Sequence, residues 1–192
     1  MPLNYNDLPH VCLFADCYMH INFEFKASSI NNNRLEEIIK SRSHLFIGTD
    51  HQKDTYFNVS NGRLKLREGN IENALIYYNR ENTSGMKQSD VILYQHAPSP
   101  ELKVILTKSL GIKVVVDKIR KIYFIDNVKI HFDEVADLGS FVEVEAIDRD
   151  GSLGLKTIKN QCEEFRKLFN ITKEQFIAES YSDLLVKKSS PQ

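Results

Sequence analysis

The chain has 192 residues, and 25 lysines and arginines against 26 aspartates and glutamates give it a formal net charge of −1. Its overall charge therefore gives no support to binding of nucleic acid or a membrane, and its 42% hydrophobic content is ordinary for one folded domain with a sizeable core. The three cysteines form no CxxC pair and no apolar run approaches a membrane span, so the sequence predicts a reduced, cytoplasmic protein with no membrane contact.

The N-terminal part of the chain contains one clear strand and one clear helix. Residues 1–18 show no period and are interpreted as a loose leader. Residues 20–27 alternate strictly, with apolar side chains on one face and Glu24 and Lys26 on the other, which predicts a half-buried strand. A helical pattern follows over residues 32–43.

The stretch 61–68, NGRLKLRE, carries the clearest local charge signal. Asn61-Gly62 is a turn signal, and the alternation that follows predicts a strand with three cations on one face. Those cations are Arg63, Lys65 and Arg67. Such a face needs either solvent or a polyanion opposite it, and Arg63, beside the turn, is expected to lie at the rim in solvent.

The remaining elements alternate between strands and helices. Strands and loops are predicted over 44–59, a loop over 81–89, and strands over 75–80, 91–95, 112–125, 128–133 and 141–147. Helices are predicted over 99–109, with Leu102, Ile105, Leu106 and Leu110 as a buried stripe, from about 153 to 169, and briefly after Thr172. The stretch SYSDLLV is expected to form a strand or coil.

Nearly every predicted strand has one apolar and one charged face, and two architectures fit that pattern. Either a single sheet is covered by helices on its apolar face and wet on the other, or the sheet closes into a barrel with a polar lumen. Glu143 and Glu145, two apart on one strand face, can converge on one hard cation. Carboxylates beside a patch of Lys and Arg are what a phosphate–Mg²⁺ ligand requires.

Several common chemistries lack their motifs in this sequence. There is no Walker-type glycine loop, no GxGxxG, no zinc-binding spacing of Cys and His, and no GxSxG elbow. His131 is a lone histidine within a predicted strand and is interpreted as packed or solvated.

Seven stretches between about residues 20 and 186 together resemble one protein family. They are NFEFK, DTYFN, NGRLKLRE, LIYYNR, DKIRKIYF, VKIHFDEVADLGSFVEVE and ESYSDLL. In this order they resemble the CYTH, or triphosphate tunnel metalloenzyme, superfamily, and within it the class IV adenylyl cyclase-like branch. The resemblance implies an α+β fold, in which an eight-stranded antiparallel closed barrel has a charged lumen and helices on the outside. It divides the chain into a leader (1–18), a CYTH domain (19–187) and a frayed tail (188–192).

The resemblance also implies roles for individual residues. Five cations correspond to triphosphate-binding positions: Lys65, Arg67, Arg80, Lys118 and Arg120. Three carboxylates correspond to ligands of Mg²⁺ or Mn²⁺: Glu24, Glu143 and Glu145. Lys26 and Asp133 correspond to further lumen positions and are predicted as catalytic residues. Asn22 stands where the family motif has its first glutamate, which removes one negative charge from the predicted metal site.

The implied function is metal-dependent hydrolysis of a triphosphate such as tripolyphosphate, thiamine triphosphate or a nucleoside triphosphate. The alternatives are a cyclase that converts ATP to cyclic AMP and pyrophosphate, and a non-catalytic polyphosphate-binding module. The expected partner is a triphosphate-containing small molecule rather than nucleic acid or membrane, and the protein is expected to be a monomer or homodimer.

Overall fold

A computed structural model describes residues 19–29, 31–79 and 85–189, which form an α+β arrangement of eight antiparallel strands and four helices. The strands are β1 (Met19–Ser28), β2 (Leu45–Phe57), β3 (Arg63–Glu68), β4 (Ala74–Asn79), β5 (Lys87–Gln95), β6 (Ile112–Ile125), β7 (Val128–Val135) and β8 (Gly139–Asp148). The helices are α1 (Asn32–Lys40), α2 (Pro100–Leu110), α3 (Leu155–Leu168) and α4 (Tyr181–Ser189), with a 3₁₀ turn at Lys173–Gln175. The predicted leader and the last three residues of the predicted tail lie outside this part of the chain.

The eight strands close into a ring. Their order is β1-β5-β4-β3-β2-β6-β7-β8, and β8 pairs back to β1, so every described strand has two antiparallel neighbours. The prediction of an antiparallel α+β fold is thereby confirmed, and a single open sheet is excluded. Because side chains alternate along a strand, one face of each strand points into the ring and the other outward. Strands β3 and β8, four places apart, lie on opposite sides of it.

The main hydrophobic core lies outside the ring. Helices α1 and α3 pack on β1, β7 and β8, and the fully buried side chains include Phe25, Ala27, Ile39 and Ile158. The outward apolar face predicted for β1 is therefore confirmed. None of the four described helices combines the length and apolar character needed to span a membrane.

Three local predictions differ from the structure. Residues 45–57 form one long strand, where strands and loops were predicted. Residues 87–89, which fall in the predicted loop over 81–89, belong to β5. The stretch SYSDLLV forms α4 rather than strand or coil. Tyr181, Leu184 and Leu185 lie at helical spacing and pack on a second buried apolar cluster, whose members include Val116, Val135 and Phe141. This contact with β6, β7 and β8 could not be predicted from local alternation.

The predicted buried stripe of α2 is also wrong. Helix α2 starts where expected, with Ser99 accepting a hydrogen bond from the Leu102 amide, but none of its residues is buried and Ile105 is 59% exposed. The helix contacts mainly β2, and its ion pair from Lys103 to Glu68 anchors it to the end of β3. Its apolar residues therefore remain largely at the surface.

Candidate functional site

The inner faces of the strands surround a charged cavity of about 360 Å³, a volume typical of small-molecule sites. The cationic side chains that line it, among the described residues, are Lys26, Lys65, Arg67, Lys118, Arg120 and Lys129. The acidic ones are Glu24, Asp54, Glu72, Glu143 and Glu145. The two charge types are thus nearly balanced, and β1 carries one of each, Glu24 and Lys26.

Eight of the ten predicted site residues line this cavity, namely Glu24, Lys26, Lys65, Arg67, Lys118, Arg120, Glu143 and Glu145. Asp133 is fully buried beside it, where it accepts hydrogen bonds from Arg120 and from the Tyr181 hydroxyl. Arg80 lies outside the described residues. Arg63 was expected at the rim in solvent, but its side chain is only 16% exposed and pairs with Asp183 of α4 at 2.8 Å.

Lys65, Arg67 and Lys118, which we call the basic wall, surround one carboxylate, that of Asp54. Lys65 and Lys118 donate to Asp54 Oδ2 at 2.9 and 2.8 Å, and Arg67 makes a bidentate pair with the same carboxylate. Strands β3, β2 and β6 are neighbours in the ring, which places these side chains together. Although burial opposes ionisation, Arg67 and Lys118 hold the pKa of Asp54 well below its usual range.

Burial also opposes ionisation of Lys118, whose side chain is 1% exposed. Desolvation, with the nearby cations Arg67 and Arg120, lowers the pKa of Lys118 to about 7 even though Asp54 favours the charged form. The charge of the basic wall is therefore sensitive to pH near neutrality. It is also sensitive to any anion that enters the cavity.

Glu72, in the loop between β3 and β4, reaches across the cavity. It accepts hydrogen bonds from Arg67 at 2.8 Å and from Gln52 at 3.0 Å, and it pairs with Lys129 of β7 on the other side. Although burial opposes ionisation, Lys129 and Arg67 hold the pKa of Glu72 well below its usual range. The buried carboxylate of Asp50 fixes this loop by accepting from the amides of Ile71 and Glu72.

The opposite side of the cavity carries the carboxylates of β8, Glu143 and Glu145, which we call the acidic wall. Glu143 pairs with Lys26 at 3.0 Å and with Arg120 at 2.6 Å. Arg120 also binds Asp133 through two nitrogens, which orients its guanidinium between the two carboxylates. The Lys26 ammonium lies 3.8 Å from the centre of the Tyr181 ring, so α4 helps to position it.

His131 joins the acidic wall. One ligand atom from each of His131, Glu143 and Glu145 lies within 4.8 Å of the others, a grouping that could hold a metal ion. Burial and the charges of Arg120 and Lys129 lower the pKa of His131 to about 3, so its imidazole is neutral. Burial, Glu24 and Glu143 raise the pKa of Glu145 to about 7. Glu24 faces Glu145 across the β1–β8 register but is not part of this trio.

Asn22 also faces the cavity, as the alternation of β1 requires. Its side chain is 5% exposed, and its Oδ1 has no hydrogen-bond partner among the described residues. A neutral carbonyl oxygen thus remains available at the position of the family's first motif glutamate.

Four charged or metal-ligating cavity residues that the site prediction left out are Asp54, Glu72, Lys129 and His131. Asp54 lies in the DTYFN stretch and His131 in VKIHFDEV, so both were within recognised motifs. His131 lies two residues from both Lys129 and Asp133, so the alternation of the strand places all three on the same face. This pattern could have placed His131 inside the ring. Glu72 lies in a loop and offers no comparable signal.

Comparisons with known proteins agree with this fold. A family model described as the CYTH domain matches residues 20–181. The Methanocaldococcus jannaschii protein named "Putative adenylate cyclase MJ0240" is 27% identical over 173 residues, which cover 85% of this chain and 98% of the relative.

Two solved structures show the same architecture. The PH1012 protein of Pyrococcus horikoshii OT3 superposes with a TM-score of 0.73 at 21% identity, over 85% of this chain and 98% of its own. HpAC1 of Hippeastrum, described as revealing a dominant triphosphatase activity, superposes with a TM-score of 0.58 at 15% identity, over 91% of this chain and 98% of its own. At these identities the two structures establish a likeness of fold.

Proposed function

Because this chain belongs to the CYTH domain family, we propose that its ring is the closed barrel of that family and that the cavity is a tunnel for metal-dependent hydrolysis of a triphosphate. One observation carries the proposal. The basic wall of β3 and β6 faces the acidic wall of β8 across one small cavity, so a phosphate chain and a divalent cation can be held side by side.

The basic wall supports binding of a phosphate chain. Guanidinium and ammonium groups bind phosphate oxygens strongly, and Arg does so through two parallel hydrogen bonds. Lys65, Arg67 and Lys118 are held in one cluster by Asp54, which keeps their heads close together before any ligand arrives. Preorganised cations of this kind stabilise the charge that spreads over phosphate oxygens during transfer.

The acidic wall fits a divalent cation. Carboxylate ligands are suited to Mg²⁺, Mn²⁺ and related hard ions, and ligand atoms of Glu143 and Glu145 lie within 4.8 Å of each other. Glu143 and Glu145 would hold the ion, with Glu24 beside them on β1. When bound, the ion supplies polarisation of a phosphoryl oxygen and a route to an activated water.

The protein's own groups then divide the remaining work. Arg120 is held by Asp133 and Glu143 between the two walls, so it can contact the phosphate that lies nearest the cation. Lys26, fixed by Glu143 and the Tyr181 ring, adds a positive charge at the same side. Both positive groups would stabilise the negative charge that develops on the transferred phosphoryl group.

A second candidate function is cyclisation of ATP, in which the ribose 3′-hydroxyl attacks the α-phosphorus and pyrophosphate leaves. A specific feature of the cavity favours it: β4 and β5 contribute the apolar side chains Ile76, Val91 and Leu93 and the ring of Tyr78. An apolar and aromatic surface beside a phosphate site is suited to a nucleoside base. The archaeal relative carries an adenylate cyclase name.

The deciding experiment is a product assay. The purified protein is incubated with Mg²⁺ or Mn²⁺ and tripolyphosphate, thiamine triphosphate or ATP, and orthophosphate, pyrophosphate and cyclic AMP are quantified. We expect orthophosphate, and loss of turnover in Glu143→Ala, which removes one carboxylate of the acidic wall. Cyclic AMP from ATP would instead establish the cyclase, and tripolyphosphate binding without any product would establish a non-catalytic module.

A further inference from the structure

His131 is placed in the cavity at a clear energetic cost. Its side chain is 1% exposed, and neither ring nitrogen has a hydrogen-bond partner among the described residues. Leaving a buried polar group unsatisfied is unfavourable, because the group has given up its hydrogen bonds to water. A neutral ring with an available lone pair, buried among carboxylates, is the form in which histidine binds metals.

The ring is also aimed at the acidic wall. Nδ1 lies 3.5 Å from Glu143 Oε2 and 3.8 Å from Glu145 Oε1. Adjacent ligands of an octahedral ion, each about 2.1 Å from the metal, lie about 3 Å apart. Nδ1 therefore needs to approach each of the two carboxylates by less than about 1 Å to share one ion with it. His131 and Glu143 are direct register partners on β7 and β8, which holds their backbones together.

We propose that His131 is a nitrogen ligand of the divalent cation, and that it makes the site prefer Mn²⁺ or Co²⁺ to Mg²⁺. Imidazole binds the later first-row metals well, whereas Mg²⁺ is held almost entirely by oxygen. Replacing one oxygen ligand by Nδ1 therefore favours the transition metals. The inference rests on the metal site of the proposed function, but it concerns metal binding and not turnover.

Two measurements on the untagged protein test it with the metal ion alone. Pulsed EPR of bound Mn²⁺ detects a directly coordinated nitrogen through its hyperfine coupling. Calorimetric titration gives the affinities for Mg²⁺, Mn²⁺ and Co²⁺. Because loss of a ligand's supporting interaction already changes metal affinity by about 10–100-fold, we expect His131→Gln to weaken Co²⁺ at least tenfold and to weaken Mg²⁺ much less.

The matched control is His51→Gln. His51 lies on the outer side of β2, where its side chain is 52% exposed and Nε2 contacts Asp117 at 2.6 Å. We expect this variant to retain both the nitrogen coupling and the metal preference. If it loses the coupling, the nitrogen belongs to a surface site and the inference is wrong.

The outcomes separate the inference from the proposed function. Turnover of a triphosphate by a protein whose Mn²⁺ shows no nitrogen coupling would overturn the inference alone. Nitrogen coupling that disappears in His131→Gln, in a protein without turnover, would overturn the proposed function alone. If His131→Gln fails to fold, a lack of nitrogen coupling in the unmodified protein still overturns the inference.

Discussion

Glu72 competes with the proposed substrate, and its replacement should tighten anion binding. The carboxylate accepts a hydrogen bond from Arg67 at 2.8 Å and pairs with Lys129, so it occupies two cations that a phosphate chain would use. Asp54 holds the other two donor groups of Arg67. All three nitrogens of this guanidinium already donate to a carboxylate, so a phosphate chain would compete with these carboxylates for Arg67. Glu72, which is 22% exposed, is easier to displace than Asp54, which is 2% exposed.

The size of the effect follows from these contacts. A hydrogen bond between charged groups contributes about 1.5–3 kcal/mol, and partial exposure of Glu72 puts its share at the lower end. Glu72→Gln keeps the shape and removes the charge, so it should tighten tripolyphosphate binding by about tenfold or more. The same loss should destabilise the free protein by about 1–2 kcal/mol, which corresponds to a fall in Tm of about 2–8 °C for a chain of this size.

Calorimetry with tripolyphosphate in the absence of divalent cations measures the affinity, and thermal unfolding measures the cost. Glu68→Gln is the matched control, because Glu68 lies on β3 but pairs at 2.6 Å with Lys103 on the outside of the ring. It should leave the affinity unchanged. Equal or weaker binding by Glu72→Gln would show that Glu72 orients Arg67 and Lys129 for the ligand, and the competition argument would be refuted.

Three further predictions concern buried charges. Burial lowers the pKa of Lys118 to about 7, and a bound phosphate favours its protonated form, so the tripolyphosphate affinity of the metal-free protein should fall as pH rises through about 7. Calorimetry on Lys118→Met should show a shallower pH dependence. Asp54→Asn leaves three cations without their shared counterion, and chemical denaturation should show a loss of about 3–5 kcal/mol. Glu36, buried on α1, accepts from Tyr123 and pairs with Lys121, so Glu36→Gln should lower the free energy of unfolding by about 1–3 kcal/mol with unchanged tripolyphosphate affinity. Although burial opposes ionisation, those partners lower the pKa of Glu36. Its stabilising contribution is therefore full above the ordinary pKa of 4.5 and is lost as the pH falls through the lowered pKa of the folded protein.

Strand alternation predicted the inward faces well, because parity alone decides which side chains share a face. Once Glu24 and Lys26 alternate with outward apolar residues, their direction follows from the pleat. The ring closure could not be obtained from parity, since a wet open sheet carries the same pattern. It came from the family resemblance, and in the structure it depends on the pairing of β1 with both β5 and β8.

What parity could not supply was the pairing of charges across strands. Asp54 shares a face with Gln52 and Tyr56 in the sequence, but its role depends on β2 lying between β3 and β6 in the ring. Glu72 comes from a loop, where no period constrains direction, and its position is set by the Asp50 carboxylate. As a single histidine in a predicted strand, His131 gives no functional signal in the sequence. Its significance depends on Glu143, its register partner on the neighbouring strand.

These pairings explain how the cavity can hold so many cations before a ligand enters. An isolated buried charge is strongly disfavoured, and Lys118, with a pKa near 7, shows how close this cluster comes to losing a proton. Asp54 and Glu72 provide the missing negative charge from within. On the proposed function, ligand binding would be an exchange of counterions: a phosphate chain would replace the more exposed carboxylate of Glu72, while Asp54 stays in place to keep the cations together. Because the displaced and incoming groups are both anions, Arg67 and Lys129 would remain paired after the exchange. On this proposal the affinity should rise with the number of negative charges that the ligand brings beyond the one it displaces, so a triphosphate should bind more tightly than orthophosphate.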